Sequence, residues 1–261
     1  MTITTSMDDA SNRARRFVRR RDVRQVFLLW LALTVVLVVF GATVPARLMG
    51  AGASPSMHAI KNTMTLFSIA AAPVAAVVWA IALYSLIAWR HRGNTQPESD
   101  GPPLRTNKPA AVLWILLSSV LCVFLLIWGL AEMGSVDAAG ATSDAMVVDV
   151  TGQQWVWTFS YPQEGNIESD QLYLPVDKPV VFHVTSKDVI HSFWVVQLGI
   201  KVDANPGETT TTSVVPDRIG VYDVRCAELC GLLHADMETN AHVVSADDFN
   251  KWVADNGGQS S

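Results

Sequence analysis

Two cysteines, a histidine and a methionine fall close together near the C-terminal end, in Cys226-Ala227-Glu228-Leu229-Cys230-Gly231-Leu232-Leu233-His234-Ala235-Asp236-Met237. Their offsets are 0, 4, 8 and 11. A second imidazole, His191, stands upstream in Asp188-Val189-Ile190-His191-Ser192-Phe193-Trp194. Two thiolates, two imidazoles and a thioether make a soft, nitrogen- and sulfur-rich donor set, which favours copper. Zinc rarely takes methionine, and its usual paired spacings differ. A mononuclear blue-copper site uses one Cys, two His and a weak axial Met. With two cysteines, two copper ions can be bridged and share one unpaired electron. The charge change on reduction is then spread, little geometry rearranges, and no coordination position is left for a substrate. That chemistry is electron transfer. Three narrower readings each explain part of the set: a Cys226–Cys230 disulfide, structural zinc with both histidines, or Met237 as ordinary core. None explains Met237 and both histidines together.

These residues need a scaffold, and the chain divides into two regions of opposite character. Residues 1–134 carry 13 Lys+Arg against 6 Asp+Glu, a net of +7, whereas residues 135–261 carry 6 against 18, a net of −12. The first region is a basic arm, residues 1–25, followed by apolar runs at 26–44, 66–89 and 110–130. Each run has roughly 20 residues without an ionised side chain, enough to cross the bilayer hydrocarbon as a helix. Pro73 inside the second run is tolerable in a membrane helix. Seven arginines, Arg13 to Arg24, precede the first run, and Arg90, Arg92, Arg105 and Lys108 lie between the second and third. The link between the first and second holds only Arg47 and Lys61. Basic flanks stay cytoplasmic, so residues 135–261 are expected on the outer face. The first run has two readings, a retained anchor or a removed signal. Cys122 sits inside an apolar run and reads as a small core or lipid-facing residue. His58 and His91 flank the runs and read as interfacial.

From residue 145 the pattern changes to short Val-, Thr- and aromatic-rich runs broken by Gly, Pro, Asn and Asp. Examples are 146–150, 155–161, 179–184, 192–196, 209–215 and 220–225. Such spacing predicts a β-sandwich or barrel over 145–255. A short helix is expected near Asp247 to Ala254, and residues 256–261 read as a flexible tail. In Trp155-Val156-Trp157-Thr158-Phe159-Ser160-Tyr161 the aromatics alternate, which on a strand places all four on one face. Most of the four read as core, and one could lie at the surface as the point where electrons arrive. His183 alternates within a strand, and His242 is not needed to complete the donor set. An acidic domain held at a membrane suits a basic protein partner, and no nucleic-acid partner is expected.

At these residues the chain resembles cytochrome c oxidase subunit II. The resemblance rests on the Cys–Cys–His–Met loop and on Gly152-Gln153-Gln154-Trp155-Val156-Trp157. It extends to the Asp188–Trp194 stretch and to Leu198-Gly199-Ile200-Lys201-Val202-Asp203-Ala204-Asn205-Pro206-Gly207. The resemblance implies a membrane-anchored all-β protein, with two to three transmembrane helices before a cupredoxin-type Greek-key β-barrel. It implies a binuclear copper (CuA) centre bridged by Cys226 and Cys230. His191 and Met237 would complete one copper, and His234 with the Glu228 backbone carbonyl the other. The Glu228 side chain would reach a magnesium or manganese ion at the boundary with the catalytic subunit. Trp155 matches the residue at which the family receives electrons. The implied partners are cytochrome c as donor, haem-copper oxidase subunit I and other oxidase subunits, and membrane lipid, in the inner membrane of a prokaryote.

The chain departs from the family pattern at three places. Ala111 stands where a glutamate often precedes the Trp114 position, a proline often found a few residues after that Trp is absent, with Ser118 nearby, and Glu208 replaces an arginine after Pro206-Gly207. None is a copper ligand; they bear on proton uptake and docking. There is no Cys-x-x-Cys-His, so no fused c-type haem is expected. Three alternatives stand beside the oxidase reading. They are a quinol oxidase subunit, which would lack the ligands, the CuA subunit of a nitric oxide reductase-type enzyme, and a membrane-anchored copper carrier or zinc-stabilised module.

Overall fold

A computed structural model describes residues 20–88, 107–140 and 144–257. Most of the arginine-rich arm, the basic link with His91, and residues 258–261 of the tail lie outside these. Three long helices come first: α1 (Arg20–Leu48), α2 (Pro55–Ala88) and α3 (Lys108–Gly140). All three are long and apolar enough to cross a membrane. α1 and α3 begin and end beyond their apolar runs, and α2 begins eleven residues before its own. Asn107 caps α3, its Oδ1 accepting from the Ala110 N–H at 3.2 Å. On α1, Trp30 Nε1 donates to the carbonyl of Pro73 on α2 at 2.9 Å. Gly41 makes a close approach possible, since a Cβ there would lie 2.9 Å from Ser68 Cβ. Cys122 is exposed on α3.

Packing divides the chain into two units, and the second joins residues 46–64 to the β-rich region. In that region the alternation of Val and aromatic residues with polar ones resolves into ten strands among the described residues. They are β1 (Met146–Gln153), β2 (Val156–Tyr161), β3 (Ile167–Ser169), β4 (Leu172–Pro175), β5 (Val180–Ser186), β6 (His191–Val195), β7 (Ile200–Ala204), β8 (Thr210–Val214), β9 (Gly220–Cys226) and β10 (Glu238–Val244). One sheet runs β3-β2-β1-β5-β8 and the other β4-β10-β9-β6-β7. Their inner faces share a core of Val148, Val150, Phe159, Phe182, Phe193, Leu172 and Leu174, all fully buried. This is the expected sandwich of alternating inward and outward residues. The short helix is present as α4 (Ala246–Asp255), capped by Ser245 Oγ accepting from the Asp248 N–H at 3.1 Å.

The aromatic run does not behave as one four-residue face. Trp157, Phe159 and Tyr161 point into the core. Trp155 falls outside β2, because β1 and β2 pair from Gln153↔Val156 onward and leave Gln154 and Trp155 as the hairpin turn. Tyr161 is a buried polar tie: its hydroxyl accepts from the Tyr173 N–H at 2.7 Å and donates to the Tyr173 carbonyl at 3.1 Å. Burial raises its pKa well above the usual tyrosine value.

Residues 53–58 dock on the sandwich as a strap. The Ala53 N–H donates to the Gln197 carbonyl at 3.0 Å, and the Asp217 N–H to the Ala53 carbonyl at 3.0 Å. Ser54 is fully buried; its Oγ donates to the Leu198 carbonyl at 2.6 Å and accepts from the Met57 N–H at 3.0 Å. Ser54 is therefore the N-cap of α2, with Pro55 at the first helical position. His58 pairs with Asp217 (Nε2 to Oδ2, 3.1 Å). Gly199 leaves room for the strap: its φ is +66°, and a Cβ there would sit 2.9 Å from Met57 N.

Candidate metal centre

Sheet register brings the upstream histidine to the cysteine loop. On the second sheet β6 pairs with β9 so that Phe193 faces Cys226. Strand residues two apart share a face, so His191 sits diagonally across from Cys226 on the buried side. The loop after β9 is closed at its base by the Cys226 N–H donating to the Met237 carbonyl at 3.0 Å. That hydrogen bond returns Met237 beside the cysteines, while a short 3₁₀ turn (His234–Asp236) presents His234. The loop is also pinned to β6 by the Ala227 N–H donating to the Ser192 carbonyl at 2.9 Å.

The donor atoms converge. The two Sγ atoms are 3.8 Å apart, far beyond the ~2.05 Å of a disulfide, and both cysteines are free. His191 Nδ1 lies 3.8 Å from Cys226 Sγ, and the Glu228 carbonyl oxygen 3.3 Å from the same sulfur. His234 Nδ1 is 3.5 Å and Met237 Sδ 3.8 Å from Cys230 Sγ. His191, Cys226, Cys230 and Met237 are buried, and His234 is half-buried. The Glu228 side chain is exposed, so only its carbonyl joins the cluster. Thiolate–metal bonds of about 2.3 Å let an ion touch both sulfurs at this spacing. Two thiolates, a thioether and two imidazoles form a soft donor set, and copper fits it.

Residues 166–244 match the family model for the periplasmic domain of cytochrome c oxidase subunit II. Cytochrome c oxidase subunit 2 of Thermostichus vulcanus is 31% identical over 242 residues, covering 73% of this chain and 72% of that protein. This chain belongs to the cytochrome c oxidase subunit II family. The Synechocystis subunit 2 is 28% identical over 274 residues, covering 88% of this chain and 81% of its own. Among solved structures, the periplasmic domain of subunit II from Bradyrhizobium japonicum is 30% identical, with a TM-score of 0.43, covering 44% of this chain and 95% of that one. The family and the His–Cys–Cys cluster together point to a copper-binding membrane protein.

As a subunit II family member, the chain also shows supporting residues that spacing alone did not single out. Asp188 Oδ1 takes the His191 Nε2–H at 2.8 Å, which turns Nδ1 toward Cys226. Desolvation by itself would raise the Asp188 carboxyl. Hydrogen bonds from the Gln154 N–H, His191 and the Val189 N–H outweigh that effect and hold it at about 2. Ser186 Oγ lies 3.3 Å from Asp188 Oδ1, while its O–H donates to the Val189 carbonyl at 2.5 Å. In the metal-free protein, burial followed by the neighbouring Cys226 pushes the Cys230 thiol up to about 11. A metal held through Cys230 would have to displace a proton there. The only written signal for Asp188 was an acid three residues before a candidate ligand. Gly152 admits the imidazole, since a Cβ there would lie 3.1 Å from His191 Cδ2. Trp155 is half-buried, its Nε1 buried and unpartnered among the described residues. His183 and His242 stand apart, pairing with Asp149 and Gln171.

Proposed function

We propose that this chain is the electron-transfer subunit of a respiratory terminal oxidase. It takes electrons from cytochrome c at a CuA centre and passes them to the haem/copper subunit that reduces oxygen to water. The observation that carries the reading is the meeting of two unbonded, buried cysteine sulfurs with His191, His234 and Met237. Cys226 and Cys230 would hold both ions, His191 with Met237 one of them, and His234 with the Glu228 carbonyl the other. Copper bound there supplies a one-electron couple.

The chain's own residues do the rest. Burial of both cysteines, His191 and Met237 keeps water off the donors. The loop-base hydrogen bond, Asp188 and the Ala227–Ser192 hydrogen bond brace the donors, which limits reorganisation. Trp155 is assigned the point of electron arrival. Its ring lies over Gly231, where a Cβ would be 3.3 Å from Trp155 Cζ2, so the indole reaches the ligand loop with nothing between. Leu229 and Leu232 are 78% and 88% exposed beside the buried donors. An apolar rim of this kind suits protein docking. The exposed Glu228 carboxylate is assigned to a magnesium or manganese ion shared with the catalytic subunit.

Docking of segment 46–64 on the β-rich region supports an outer-face position for both. The basic arm and the basic link then remain on the cytoplasmic side of a prokaryotic inner membrane. The test is elemental analysis and electron spin resonance of the full chain matured with copper. Two coppers per chain with a signal shared over both nuclei are expected, and Cys230→Ser should abolish that shared signal. Zinc in the site, or sulfurs bonded to each other in a matured sample, sinks the assignment.

A further inference from the structure

One residue touches both halves of the site without being a ligand. The backbone N–H of Gln154 donates to Asp188 Oδ2 at 2.8 Å, and Asp188 in turn orients His191. The same residue's side-chain Nε2 donates to the Cys230 carbonyl at 2.8 Å. Gly231, at φ +122°, makes this contact possible, because a Cβ there would come within 3.0 Å of Gln154 Nε2 and 3.4 Å of Trp155 Nε1. Gln154 also precedes Trp155 in the two-residue β1–β2 turn.

We propose that Gln154 is a positioning and tuning residue: it locks the Trp155 turn onto the ligand loop and lends its amide dipole to the reduced state of the site. The inference rests on the copper reading. An N–H dipole aimed at the Cys230 carbonyl places its positive end next to a thiolate ligand. A positive end nearby favours the state that has gained an electron. Removing it makes the site harder to reduce and frees the indole from the loop. Replacing only the side chain leaves the Asp188–His191 arm untouched, since that arm uses the backbone N–H.

The experiment compares the copper-matured full chain with Gln154→Met and Gln154→Lys. The readouts are copper content, copper hyperfine pattern and reduction potential. Met has a similar length and no donor. It should keep two coppers while the reduced-to-oxidised ratio falls about fivefold, the weight of one modest hydrogen bond. At about 59 mV per tenfold for a one-electron couple, that is about 40 mV downward. Lys keeps a donor at similar reach and adds charge, so its potential should stand at or above the wild-type value. A Met variant with the wild-type potential and hyperfine pattern overturns the inference. So do Met and Lys variants that behave alike. If the Met variant does not fold, a Lys variant whose potential falls overturns it, and one whose potential rises supports it. A wild-type chain that matures without copper overturns the copper reading and this inference together, which separates the two failures.

Discussion

Ser54→Ala tests whether the strap is part of the outer domain's stability. Ser54 is fully buried and makes two hydrogen bonds, one as the N-cap of α2 and one to the Leu198 carbonyl 144 residues away. Loss of an N-cap costs about 0.5–2 kcal/mol. The Leu198 carbonyl would lose this donor in a place water does not reach, at about 1–3 kcal/mol. Together the change should destabilise the region by about 1.5–5 kcal/mol, because the alanine side chain replaces neither interaction. For a domain of this size each kcal/mol moves the midpoint by about 4 °C, so a drop of about 6–20 °C is expected. The assay is thermal unfolding of the copper-matured full chain in detergent, followed by tryptophan emission and near-ultraviolet circular dichroism. Trp155, Trp157, Trp194 and Trp252 are the four of the nine tryptophans that report on the sandwich. A companion, Gly199→Ala, should also destabilise, since it introduces a side chain at φ +66° and 2.9 Å from Met57 N. A shift below about 2 °C in both variants would refute the reasoning, meaning that the strap is not held where these hydrogen bonds hold it.

Two further outcomes are expected. Asp188→Asn keeps the shape but weakens the acceptor for His191 Nε2–H, so copper affinity should fall about 10–100-fold while the fold persists; competition with a copper chelator measures it, and wild-type affinity would remove Asp188 from the site. His242 stacks on Tyr173 at 4.6 Å, and burial lowers its pKa below the ordinary value of 6.5. The unfolded chain takes its proton first, so this contribution to stability is present above the unfolded pKa and is lost as pH falls through the folded one. The melting-point difference between wild type and His242→Gln should therefore shrink from pH 7 to pH 5, and a constant difference would contradict the argument.

Much of the candidate site was legible because its chemistry is local. Four donors lie in one loop of the chain, and a loop closed by the Cys226–Met237 backbone hydrogen bond brings them together by short-range geometry alone. The helices were legible from the length of their apolar runs, and most strands from alternation, since both patterns report burial directly. The supporting residues were not. Gln154 meets Cys230 across 76 residues and Asp188 across 34, and nothing in a linear pattern states which turn will face which loop.

Composition and spacing, then, determined the donor types, the membrane spans and the two-sheet class, because ligand softness, bilayer thickness and side-chain alternation act on neighbours in sequence. Tertiary structure alone decided that Trp155 leaves its strand to lie on Gly231, that His191 turns Nδ1 to Cys226, and that Ser54 straps the sandwich. Each depends on strand register and on contacts between distant segments, which become defined only when the two sheets close over their shared core.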